Sequence, residues 1–389
     1  MRILFLLGSV LSLAVCAAPA RAELADGPAE ARVAFDARGV TASRAGGLAD
    51  RATGRPVTID DPVRIASISK LVVALGVMRM VEAGQLDLDR DVSEILGWRV
   101  RNPAFPDAPV TLRQLLSHIS GLIDPEEYRV PLGDRLADRI AQPALWDAQQ
   151  RPGSWFRYAN IGFPVIASVM EKASGERFDR LMHRLVLAPL GLDACFNWST
   201  CSDAKIARAA VLYRTDGSVA LDDLKGRRPD CPVIAKAGCD LGAYRLGENG
   251  ALFSPQGGLR ASMRDLAMIG AMLLRNDGRF LKRESIAQME RAAWRYDGSN
   301  GDTSNGFYCQ YGLAVTVLPT AHDICADDLF GDFRTRIGHA GDAYGLRSGL
   351  WIDRAKGTGV AFFATATSPD SKGFTAFTVE EERLAREKE

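Results

Sequence analysis

The chain has 389 residues with 48 basic and 48 acidic side chains, so its formal charge is zero. That balance excludes a protein that holds nucleic acid through a basic surplus, because neutralising phosphates requires one. Hydrophobic residues are 47% and charged residues 25%, which excludes disordered chains, and the absence of a glycine or heptad period excludes fibrous ones.

The first 22 residues read as a secretory leader. Met1-Arg2 is a short positive start, Ile3–Val15 is an apolar run, and Ala20-Arg21-Ala22 has the small-x-small pattern that places cleavage before Glu23. The run is too short for a spanning helix, which needs about 20 residues, so no stable membrane span is expected. A retained anchor and a lipid on Cys16 remain alternative readings. Export implies a periplasmic or secreted protein in an oxidising compartment. Six cysteines then remain: Cys195, Cys201, Cys231, Cys239, Cys309 and Cys325. Of the 15 connectivities open to six cysteines, neighbour pairing (195–201, 231–239, 309–325) closes the shortest loops. No pair has Cys-x-x-Cys spacing, which argues against a metal site.

Past the leader, Arg32–Phe35 and Val40–Ser43 flank a turn and predict a hairpin. Val57–Ala66 reads as extended. From Ser67 to Gly84 comes a helix that is apolar nearly all round, through Leu71, Val72, Leu75, Met78 and Val81, and such a helix is buried. Further helical patterns occupy Leu112–His118, Ile161–Ala173, Phe178–Leu187 and Met263–Leu274. Residues 195–250 hold four cysteines and no period, which suggests an irregular stapled insertion. Strands are expected at Gly312–Leu318, Leu346–Asp353 and Gly359–Ala366, followed by a short surface helix over 380–389. Strands at both ends with helices between predict an α+β protein.

Three clusters carry chemistry. Ser-x-x-Lys occurs at Ser67–Lys70 and again at Ser202–Lys205. Only the first sits where an extended segment meets a buried helix, with Lys70 one turn above Ser67 on the same face. A desolvated lysine loses proton affinity and can take a proton from a serine hydroxyl. The same residues also read as an N-cap and a snorkelling side chain. The second cluster is Tyr158-Ala-Asn160, whose tyrosine could relay protons and whose asparagine could bind an amide; a core aromatic and a helix cap are the plainer readings. The third is His339-Ala-Gly341-Asp342, read as lying just before the strand from Leu346. Gly341 admits close backbone approach, and His339 is otherwise a satisfied loop histidine. No Gly-x-Ser-x-Gly, His-Glu-x-x-His or phosphate-cradling Gly-x-x-x-x-Gly-Lys occurs. A spatial Ser-His-Asp triad using His118, His183 or His322 stays open.

In order and spacing, Ser67-Ile-Ser-Lys70, Tyr158-Ala-Asn160 and His339-Ala-Gly341 resemble the serine β-lactamase-like hydrolases. The stretches Arg64–Lys70, Thr111–Leu122 and Ser254–Leu259 are similar to the same family. The resemblance implies a β-lactamase/transpeptidase-like fold: an antiparallel sheet flanked by helices (about 23–84 and 250–389) with a mainly helical region (about 85–249), in one domain over 23–389. It implies Ser67 as nucleophile, Lys70 and Tyr158 as proton carriers, and Asn160 as amide ligand and Lys70 orienter. The Ser67 and Asp342 backbone N–H groups would form the oxyanion hole, and His339 the polar or positive wall. No metal or organic cofactor is implied. His in the third element is similar to the branch with D-Ala-D-Ala carboxypeptidases, D-aminopeptidases and some esterases. The leading expectation is therefore an exported peptide or amide hydrolase acting on a small molecule or peptide, with a carboxylesterase, a β-lactamase and a non-catalytic sensor as alternatives. Ala340 has no hydroxyl for a substrate carboxylate, which leaves Arg334, Arg336 or Arg347 as candidate substitutes for that role. The oligomeric state is not legible.

Overall fold

The computed structural model describes residues 27–387, so the expected leader and Cys16 lie outside the described residues. Its centre is an eight-stranded sheet, antiparallel throughout. Strands β1 (Glu30–Asp36) and β2 (Gly39–Gly46) form the expected hairpin. The others come from the last third of the chain: β3 (Trp294–Arg295), β4 (Gln310–Tyr311), β5 (Thr316–Leu318), β6 (Arg336–Ala343), β7 (Leu346–Asp353) and β8 (Thr358–Ala364). Their spatial order is β3-β4-β5-β6-β7-β8-β1-β2, so β1 closes against β8 although more than 300 residues lie between them.

Alternation along β8 shows how the sheet is covered. Ala361 and Phe363 join one buried cluster with Phe35, Leu350 and Ile352; Val360, Phe362 and Ala364 join another with Trp351, Phe377, Leu384 and Ala385. Successive strand side chains point to opposite faces, so both faces are covered. The first cluster belongs to helices α1 (Ile68–Glu82) and α3 (Met263–Arg275), the second to α4 (Val379–Arg386). A Ser262–Asp265 capping box starts α3. As its all-round apolar sequence requires, α1 is buried on nearly every side. Helix α2 (Gly162–Ser174) and the shorter helices at 112–116 and 178–182 lie in the segment between the two parts of the sheet.

Three expectations need correction. Residues 336–343, read as the approach to a strand, are themselves strand β6, in register with β7 from Ile337↔Ile352 to Ala343↔Leu346. Glycines and a histidine mask β-propensity there, and only strand pairing reveals it. The segment 312–318 is not one strand: a turn with Ala314 at φ 54° separates β4 from β5. The terminal helix is not a surface element, because it buries Leu384 and Ala385 with Glu381 and Glu382. All three neighbour disulfides are present: Cys195–Cys201, Cys231–Cys239 and Cys309–Cys325. No helix among the described residues is long and apolar enough to cross a membrane.

Candidate active site

Ser67 stands at the start of α1, after a two-residue strand, Val63–Arg64, that pairs with Leu259–Ala261. The backbone entering the helix is fixed from three sides. Ile65 N–H donates to Leu259 O (3.1 Å), Leu259 N–H donates to Ser69 Oγ (3.1 Å), and Ser348 Oγ–H reaches from β7 to Ile65 O (3.0 Å). Ala66 is held at φ 47°, an uncommon conformation for a residue with a Cβ. Gly341 makes the crossing possible: a Cβ there would collide with Ser348 Oγ and lie 2.5 Å from Ile65 O. The third motif thus has a steric task, bringing β6 against the turn that carries Ser67.

Ser67 occupies the N-cap position, yet its hydroxyl caps nothing. Instead Lys70 Nζ is 3.0 Å from Ser67 Oγ, with Asn160 Oδ1 and Gln256 O each at 2.8 Å. Lys70 is fully buried, which rules out snorkelling. Burial pulls its pKa down to about 7; the Asp124 carboxylate works against that shift and the Arg64 cation with it. A neutral amine beside a serine hydroxyl is therefore available near neutral pH.

Tyr158 lies against this pair, its ring centroid 4.8 Å from Lys70 Nζ. Burial raises its pKa, while the Ser67 and Tyr308 hydroxyls oppose the rise, so the phenol stays protonated. Its oxygen is buried without a partner of hydrogen-bonding geometry. The ring is clamped between His118 (4.2 Å between centroids) and Tyr308 (4.6 Å), both stacked. Asn160 is committed on both ends: Oδ1 accepts from Lys70, and Nδ2 donates to Asp124 Oδ2 at 2.8 Å. Asp124 also accepts from the Asn160 and Ile161 backbone N–H groups, each at 2.8 Å. Nothing in the sequence marks Asp124, since it reaches the site only through loop packing.

The third motif splits. Ala340, Gly341 and Asp342 line the same cleft as Ser67, Tyr158 and Asn160, a cavity of about 1110 Å³. His339 does not line it. The side chain is fully buried, with Nε2 2.7 Å from the Tyr311 hydroxyl and Nδ1 2.5 Å from Ala340 O. Burial, then the Lys70 charge, lowers its pKa to about 3, so the ring is neutral and supplies no positive wall. The carbonyl contact assigns the proton to Nδ1, leaving Nε2 to accept from Tyr311. Nor do Arg334 and Arg336 reach the cleft: both pair with Asp353, and Arg336 also with Asp332. Arg347 does line it, but it is paired with Asp342, its cross-strand neighbour.

The other histidines make no triad with Ser67. The Nδ1 of His118 accepts from Ala159 N–H, His322 packs on Tyr296, and neither His183 nor His322 lines the cleft. The second Ser-x-x-Lys is a cap: Ser202 Oγ accepts from Lys205 N–H, and Lys205 Nζ pairs with Asp265.

A buried lysine in contact with a serine hydroxyl and beside a clamped tyrosine, at the junction of an antiparallel sheet and a helical region, is the arrangement of a class of serine hydrolase. The β-lactamase family model matches residues 29–384, and the chain belongs to that family. Esterase EstB of Burkholderia gladioli is 30% identical over 296 residues, 71% of each chain. Penicillin-binding protein 4 of Amycolatopsis lactamdurans is 31% identical over 150 residues, which are 38% of this chain and 39% of that one. Among solved structures, a D-amino acid amidase from Ochrobactrum anthropi SV3 superposes with a TM-score of 0.66 at 20% identity, over 92% of both chains. A penicillin-binding protein homologue from Pyrococcus abyssi, described as octameric, gives 0.67 at 21%, over 94% of this chain and 73% of its own.

Proposed function

We propose that the protein opens carboxylic esters through an acyl-enzyme on Ser67, and the observation that carries this is the 3.0 Å contact between the Ser67 hydroxyl and a fully buried Lys70 amine. Neutral Lys70 takes the Ser67 proton as Oγ attacks the substrate carbonyl. The oxyanion is met by the backbone N–H groups of Ser67 and Asp342; one such donor is typically worth about 10²–10³ in rate. Tyr158, held protonated, gives its proton to the departing oxygen as the C–O bond breaks, and Lys70 replaces it. Water then attacks the Ser67 ester by the reverse route and releases the acid. Asn160, occupied by Lys70 and Asp124, is a positioning residue for the amine rather than a dedicated substrate ligand. Esters are favoured by that occupancy, by the missing hydroxyl at Ala340, and by the similarity to esterase EstB over most of both chains.

A peptide or amide substrate is the second reading. Strand β5 pairs with β6 only over Arg336–Gly338, so along residues 339–343 one edge of β6 has no strand partner among the described residues. A peptide backbone could add there as an extra strand. The leader and three disulfides support action outside the cytoplasm. A panel of aryl esters and D-amino-acid amides decides between the readings: ester turnover lost in Ser67→Ala supports the proposal, and turnover of amides alone reverses it.

A further inference from the structure

The cleft wall beside Ser67 carries a buried charge that makes no ion pair among the described residues. Arg64 ends the strand that leads into Ser67 and is only 9% exposed, yet it lines the cleft. Its register partner, Arg260, is fully engaged: it pairs with Asp222 at 2.8 Å and donates to Asn197 Oδ1 and Gly258 O. Arg64 has no ion-pair or hydrogen-bond partner among the described residues. The Nε is enclosed without an acceptor, and the guanidinium rests 5.2 Å from the Tyr344 ring centroid. Arg347, the other cleft arginine, already has Asp342, and Lys372 is exposed on the rim. Among the described residues, Arg64 is therefore the buried cation of the cleft with donors still to satisfy, and buried charges are normally paired.

We propose that Arg64 reads a carboxylate carried by the substrate, making the protein a hydrolase of anionic esters; this rests on the Ser67 reading above. A planar guanidinium grips a carboxylate with two parallel N–H···O bonds. The Tyr344 ring beneath it holds that plane in place. This assigns the carboxylate to a residue three positions before the nucleophile, not to the third motif, where Ala340 has nothing to offer.

The test uses four aryl esters: a carboxylate on the acyl side, a carboxylate on the phenol side, and the carboxamide isostere of each. Wild-type protein should prefer the carboxylate of one pair by about tenfold or more in kcat/KM, mainly through KM. Arg64→Gln should abolish that preference, and Arg64→Lys should restore part of it. Because the readout is a ratio, any change in Lys70 cancels. Equal use of both members of each pair, or a preference that survives in Arg64→Gln, overturns the assignment. Ser67→Ala separates the two claims. If it still hydrolyses the esters, the acyl-enzyme reading fails, and calorimetric binding of the carboxylate and carboxamide phenols to wild type and Arg64→Gln then decides Arg64 alone.

Discussion

If Lys70 is the base, its proton affinity sets the acid limb of the pH–rate profile. A lysine at its ordinary pKa of 10.5 is only about 0.3% neutral at pH 8, whereas one at about 7 is about 90% neutral, a gain of about 300-fold in active base. So kcat/KM on an uncharged ester should rise about tenfold per pH unit below 7 and flatten above it. Asp124 is the lever, because its carboxylate stabilises the ammonium. Asp124→Asn should lower the plateau, since Asn160 loses its anchor, but it should also move the limb down by on the order of one pH unit. Stability gives an independent sign. The folded amine's pKa lies below its unfolded value, so between about 7 and 10.5 the unfolded chain binds more protons. The buried ammonium thus costs stability below pH 7, and the cost is relieved as pH rises towards 10.5. Lys70→Met should be inactive and should stabilise the protein more at pH 6 than at pH 10. The assays are stopped-flow acylation of a chromogenic ester from pH 5 to 9 and urea melts at the two pH values. A flat profile across pH 7, or a limb unmoved in Asp124→Asn, would refute the assignment.

Tyr158→Phe removes the proton donor but not the base, so kcat should fall by about 10²–10³ with the acid limb in place; a limb that moves instead would make the phenol the base. Gly341→Ala forces β6 away from Ile65 and Ser348, and overpacking of this kind costs about 1–3 kcal/mol. It should lower the melting temperature and reduce kcat more than tenfold, and wild-type activity would show that the close approach is dispensable. Opening Cys309–Cys325 by the double serine substitution should cost about 3 kcal/mol for a loop of this length. It should also lower kcat, because Tyr308 beside it clamps Tyr158; unchanged kcat in the folded double variant would uncouple the clamp from catalysis.

Local order was legible wherever periodicity or punctuation is strong. The all-round apolar run after Ser67 reads as a buried helix, but whether Lys70 at its start is buried or snorkels was settled only by the packing, which encloses it fully. The hairpin read from Arg32–Phe35 and Val40–Ser43 and the helix read over Met263–Leu274 are present, over 30–46 and 263–275. Strand β6 was not legible, because Gly338, His339 and Gly341 hide its propensity until β7 supplies hydrogen bonds.

What only tertiary structure decided is the electrical state of the site. Sequence places His339 in a motif but cannot say that the ring faces Tyr311 behind the strand, where burial strips its charge. Neither does it reveal that Asp124 anchors Asn160, or that Arg260 pairs with Asp222 and leaves Arg64 without an ion pair among the described residues. Periodicity is a property of neighbours along the chain, and it determined the elements. Charge and proton affinity depend on which distant groups share a water-free space, and only the folded packing determined those.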